Sequence, residues 1–206
     1  MGDADVPRAE VAAVLVDVDR ELTIPTIFSV VLLFSTALVL YAIAVLKKKR
    51  KDKFTWSWYV LALGFLYMAF DEGSSIHELT TMPIRRALGE KLPGFLSFAW
   101  LIPGISVILI VAIIYLRFYF SLPKRTKKLM LLSAIVYLGG LVGIEMIGGN
   151  YASIYGIKNL TYNLIVTIEE SLEMAGMVLF IYTLLDYIQI FSEIIFFDYS
   201  KRKKSE

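Results

Sequence analysis

The chain has 206 residues, 57% of them hydrophobic, and a mean hydropathy of +0.66. A soluble domain is about 45–50% apolar, so this is the composition of a membrane protein. The formal charge is only +2, and the absence of cysteine excludes disulfides, thiolate metal sites and thiol nucleophiles, while a single histidine excludes histidine-rich metal clusters.

Residues 1–23 are acidic, unlike the basic start of a cleavable signal, so none is expected. Val11, Val14, Leu15, Val18 and Leu22 fall at helical spacing. They fit either a short amphipathic helix at the membrane surface, outside the cell, or a frayed polar tail. Ile24 to Leu46 is uncharged and close to the ~20 residues that a spanning helix needs. A dense basic run, Lys47 to Lys53, comes next. Nucleic acid or anionic lipid would suit it, but after a spanning segment it is better explained as a cytoplasmic topology anchor, and no nucleic-acid partner is expected.

Trp56, Trp58 and Tyr59 stand where an aromatic belt belongs, and a second span runs from Phe54 to Phe70. Residues 79–94, with Pro83, Gly89, Pro93 and Gly94, predict a loop with an interfacial turn. The third span, Phe95 to Leu116, contains Pro103, which a packed membrane helix tolerates. A second basic loop holds Lys124, Arg125, Lys127 and Lys128. The fourth span runs from Leu129 to Glu145, and its Gly139-x-x-x-Gly143 pair would admit a close helix neighbour. A turn is expected at Gly148-Gly149-Asn150. The fifth span starts near Leu160, and a third basic cluster, Lys201 to Lys204, lies beyond it.

Basic residues thus gather in alternate connections, which places the N-terminus outside and the C-terminus in the cytoplasm. The expected fold is an all-α integral membrane bundle of five transmembrane helices. Residues 1–23 form an extracytoplasmic segment, 24–190 the bundle and 191–206 a basic cytoplasmic tail.

The functional candidates are the acids inside these spans. Each charge at a helix centre costs about 2.5–3.5 kcal/mol on insertion scales, so such residues point to function. Asp71, Glu72, His77 and Glu78 close the second span, Glu145 the fourth, and Glu169, Glu170 and Glu173 interrupt the fifth. At ~100° per residue the three glutamates of the fifth span share one face. Asp71 and Glu78 are nearly eclipsed and rank above Glu72, whereas His77 joins them only if the helix bends, for which Gly73 is the obvious place.

So many carboxylates at low dielectric need compensation by protons, cations or a partner. A divalent metal ion held by Asp71, His77, Glu78, Glu145, Glu169, Glu170 and Glu173 is the leading reading. Manganese, iron or zinc would fit if His77 binds, calcium or magnesium if it does not. Glu-x-x-His is missing, so a standard di-iron bundle is disfavoured. The rival readings are a proton- or cation-coupled transporter, and a non-catalytic subunit of a homo-oligomer or larger membrane complex. The bland reading is that these acids satisfy polar groups in the bundle or cap helix ends. A Ser74 or Ser75 nucleophile with His77 lacks an oxyanion signature. Whether the protein is an enzyme stays open.

The motifs Asp-Glu-x-x-Ser-x-His-Glu (71–78), Gly-x-Glu-Met-x-Gly-Gly (143–149) and Glu-Glu-x-x-Glu-Met-x-Gly (169–176) together resemble a family of uncharacterised prokaryotic polytopic membrane proteins. The resemblance covers about residues 54–190. It implies a shared acidic site in a prokaryotic cytoplasmic membrane, and no particular chemistry.

Overall fold

A computed structural model describes residues 24–89 and 92–203, with the backbone alone over 191–203. The expected surface segment 1–23 lies outside the described residues. All regular structure among those described is helical.

Helix α1, Ile24–Lys49, stays uncharged until its last turn, Lys47 to Lys49. The chain then reverses in a turn organised by Asp52. One oxygen of Asp52 accepts the Phe54 N–H at 2.8 Å and the other pairs with Lys47 Nζ at 3.0 Å. Burial alone would raise the Asp52 pKa, but these bonds and the charges of Lys47 and Lys53 outweigh it and hold the pKa below the usual value. Lys51 supplies the left-handed residue (φ 54°) that the reversal needs. Helix α2, Thr55–Ser74, returns along α1. Small residues lie in the tightly packed interior, Ala37 and Ala44 on α1 and Ala62 and Ala69 on α2. Between apolar helices in lipid, close van der Waals packing replaces the hydrophobic driving force, and small side chains permit it.

The expected loop at 79–94 is more ordered than its prolines and glycines suggest. Short α3, Ile76–Leu79, leads into it, α4, Thr81–Leu88, lies within it, and a 3₁₀ turn, Gly94–Leu96, follows it. Helix α5 is Leu101–Ser121 and begins six residues later than expected. Pro103 therefore sits in its first turn, where a missing N–H leaves no helical hydrogen bond unmade.

Helix α6, Lys124–Leu138, passes through a π-helical segment, Gly139–Ile144, into α7, Glu145–Tyr155. The turn expected at Gly148-Gly149-Asn150 is absent because both glycines serve packing. A Cβ on Gly149 would lie 3.1 Å from the Phe98 ring, and one on Gly148 would lie 3.3 Å from Ile165. The rod ends at Gly156 (φ 74°). Asn159 then caps α8, Leu160–Lys203, by accepting the Tyr162 N–H at 3.0 Å. Helix α8 runs on beyond residue 190, where the tail was expected to begin.

Among the described residues three helical stretches are long and apolar enough to cross a membrane: α1, α5, and the 32-residue rod from Lys124 to Tyr155. The main core lies at the basic end, where Leu40, Ile43, Trp58, Phe118, Leu184 and Tyr187 meet. Trp58 is 1% exposed, edge-on to Phe118 at 4.9 Å and stacked on Tyr187 at 5.1 Å. It is a core residue and not part of an aromatic belt; Trp56, two positions earlier and 77% exposed, faces outward. Thr36 and Thr183, both fully buried, return their hydroxyls to carbonyls one turn back, so no polar atom of theirs is stranded.

Candidate functional site

Asp71 lies on the last turn of α2, which ends at Ser75 in the left-handed conformation (φ 44°). That single residue turns the chain back. The His77 backbone N–H donates to Asp71 Oδ1 at 2.9 Å, and the imidazole Nδ1 lies 2.8 Å from Oδ2. The expected bend thus occurs, but at Ser75 and not at Gly73, which remains helical. Because α3 is a new helix, the eclipsed pairing of Asp71 with Glu78 no longer holds. Glu78 is exposed at the rim.

The imidazole meets the Trp100 ring edge-on, with centroids 4.6 Å apart. Trp100 in turn donates its indole N–H to Glu145 Oε1 at 2.8 Å. Asp71, His77, Trp100 and Glu145 therefore form one continuous contact chain across α2, α3, the start of α5 and α7. Burial pulls the His77 pKa down, but the Asp71 hydrogen bond and the charges of Asp71, Glu145 and Glu78 outweigh it. The net displacement is upward from the ordinary histidine value.

Glu145 is the first residue after the π-helical segment. Such a one-residue register change is found often at functional sites, because it re-aims the next side chain along the helix. The same segment sits against α8. A Cβ on Gly140 would lie 2.8 Å from the Glu169 carbonyl and 3.0 Å from Glu173 Cγ. The contact glycines are thus Gly140 and Gly176, not the expected Gly139 and Gly143, at which an added Cβ meets open space.

Helix α8 brings Glu170 and Glu173 toward the contact chain. Glu173 is within electrostatic range of Glu170, Glu72, Glu169 and Glu145. Glu72 faces both ways, toward His77 and Asp71 on one side and Glu170 on the other. The low rank expected for Glu72 rested on an ideal-helix angle, which does not hold once the chain turns at Ser75. Tyr137 lies within range of Glu173, Glu72, Glu170 and Asp71 and carries a hydroxyl into the same region. Trp100 and Tyr137 were missed by sequence reasoning. Their one signal was a polar-tipped aromatic inside an otherwise apolar segment.

The site gathers its acids loosely. Among the described residues no three acidic or imidazole side chains converge closely enough to hold a metal ion. Asp71 contacts His77 through both oxygens, one on the backbone N–H and one on the imidazole.

Fold and site together define a helical bundle with membrane-length apolar helices and an acidic interior built where α2, α7 and α8 approach. The chain belongs to the family described as a domain of unknown function (DUF8692), which matches residues 2–188. It is an uncharacterised family, as the resemblance implied, and it extends further toward the N-terminus than residue 54. No curated protein and no solved structure matches the chain.

Proposed function

We propose that this is an integral membrane protein of five spans, N-terminus outside and C-terminus in the cytoplasm, whose acidic site near the outer face takes up and releases protons. The spans would be α1, α2, α5, the α6–α7 rod and α8. The distribution of basic residues supports this topology: 54–84, 92–116, 129–157 and 159–200 contain no lysine or arginine.

The observation that carries the proton reading is the contact chain from Asp71 to Glu145, with Glu72, Glu170 and Glu173 in electrostatic range but not in ligand geometry. Protons can offset the charge of loosely gathered carboxylates, whereas a metal needs them converged. His77 is the side chain whose ordinary titration range spans physiological pH. Trp100 does not itself pass a proton, since an indole N–H only donates. It fixes Glu145 and the imidazole relative to each other.

A second reading, a divalent cation bound through His77 Nε2, is favoured by one feature. Asp71 orients the ring through Nδ1, as carboxylates do behind metal-bound histidines.

The two readings predict opposite signs. Shared protons are lost as pH rises, so their contribution to stability falls at high pH. Metal-bound carboxylates lose the metal as pH falls. Thermal unfolding in detergent at pH 5 and pH 8, with and without chelator, separates them. Greater stability at pH 5 that ignores chelator, with Glu170→Gln and Glu173→Gln flattening the pH dependence, is the expected result. Chelator-sensitive stability that is greater at pH 8, with metal found by elemental analysis, would replace it with the cation reading.

A further inference from the structure

The basic end of the bundle holds a cavity of about 410 Å³, away from the acidic site. One wall is charged, with Lys47, Asp52 and Lys53. The other is apolar and includes Phe54, Phe118 and Leu122. Lys47 is 8% exposed, with its ammonium paired to Asp52 at 3.0 Å and 5.4 Å from the Tyr187 ring centroid. The other Asp52 oxygen is taken by the Phe54 N–H. Lys53 is exposed and lies over the Phe54 ring at 4.9 Å. Two ammonium groups therefore face one carboxylate, leaving one positive charge in excess beside an aromatic and aliphatic surface.

We propose that this cavity binds the phosphate of an anionic phospholipid headgroup, with Lys53 as the contacting cation and the first acyl methylenes of the lipid against Phe118 and Leu122. A free phosphate would find no use for the apolar wall. The cavity also lies where α1 ends and α5 ends, two helices of membrane length, which is the level at which headgroups sit. The basic turn then does more than set topology, because Asp52 shapes it into a site. A second basic depression, formed by Lys124, Arg125, Lys128 and Leu129, serves as the control: it carries positive charge, with Arg125 bound to Asp186 at 2.9 Å, but has no aromatic wall.

The test uses the full-length chain in detergent, with phosphatidylglycerol, phosphatidylcholine or inorganic phosphate added and bound lipid read by native mass spectrometry. Phosphatidylglycerol should be retained over phosphatidylcholine, with retention weakened by salt. Lys53→Gln should weaken it about five-fold, whereas Lys53→Arg and Lys128→Gln should retain it. Retention of Lys53→Arg also separates lost binding from lost folding. Equal retention of the two lipids, or equal retention of phosphatidylglycerol by wild type and Lys53→Gln, would overturn the proposal. Displacement of the lipid by millimolar inorganic phosphate would assign the cavity to a free phosphate and overturn it as well.

Discussion

At the scale of single residues the site depends on the αL turn at Ser75 and on Trp100. The imidazole of His77 is held by Asp71, and its pKa lies above the ordinary value of about 6.5. A group with a raised folded pKa contributes stability that is complete below the unfolded value and is lost as pH rises through the folded one. The melting-temperature advantage of wild type over His77→Gln should therefore be greatest in mild acid and shrink toward pH 8. An advantage that grows with pH would remove the charged pair. Trp100 makes a different prediction. Trp100→Phe keeps the ring against His77 but leaves Glu145 Oε1 without its donor, which should cost about 1–3 kcal/mol. Combining it with Glu145→Leu, which removes the acceptor, measures the coupling by a double-mutant cycle, and additive effects would mean that the hydrogen bond carries none of it.

At the scale of elements, the approach of the rod to α8 decides whether the acids can share a region. A Cβ on Gly176 would sit 2.7 Å from the backbone nitrogen of Tyr137 and 2.8 Å from its Cα. Backbone cannot yield as a flexible side chain does, so Gly176→Ala must push the helices apart. Overpacking of this kind costs about 1–3 kcal/mol. It should also separate Glu173 from Tyr137 and flatten the pH dependence of unfolding. Gly139→Ala, in open space on the same rod, should be neutral or stabilising by up to about 1 kcal/mol. Equal melting temperatures for the two variants would show that the close approach is not a constraint. Near the opposite end, Arg125 clasps Asp186 through Nε at 3.1 Å and Nη2 at 2.9 Å and ties the start of α6 to α8. The Arg125 guanidinium is exposed although Asp186 is largely covered, and solvent screening keeps such a pair from being worth much by itself.

At the scale of the whole molecule, polarity is the organising feature, with basic residues and the aromatic core at one end and the acids toward the other. A reporter fused after Glu206 should be active only in the cytoplasm, and one before Met1 only outside. Both reporting the same side would break the five-span arrangement, because an odd number of crossings must separate the ends. Helix α5 is far less buried than α1. It is held by side chains, through the Tyr115 hydroxyl on the Ser57 carbonyl at 3.0 Å and through Phe118 on Trp58.

Composition, apolar length and the spacing of basic runs were enough to establish the helical class and the approximate placement of most apolar segments. These are local or one-dimensional quantities, and so they are visible along a sequence. The eclipsing of Asp71 with Glu78 and the Gly139–Gly143 contact depend on angular register, and the turn at Gly148-Gly149 on what packs against the glycines. Each expectation assumed an ideal helix or a free glycine, whereas the αL residue at Ser75 and the π segment at 139–144 reset the angular register of the helices that continue from them. Which aromatic side chains enter the acidic site, and that Trp58 is core while Trp56 is not, depend on what packs opposite them. Such neighbours are distant in sequence, as Trp100 and Glu145 are, and only the tertiary structure brings their polar atoms within hydrogen-bonding distance.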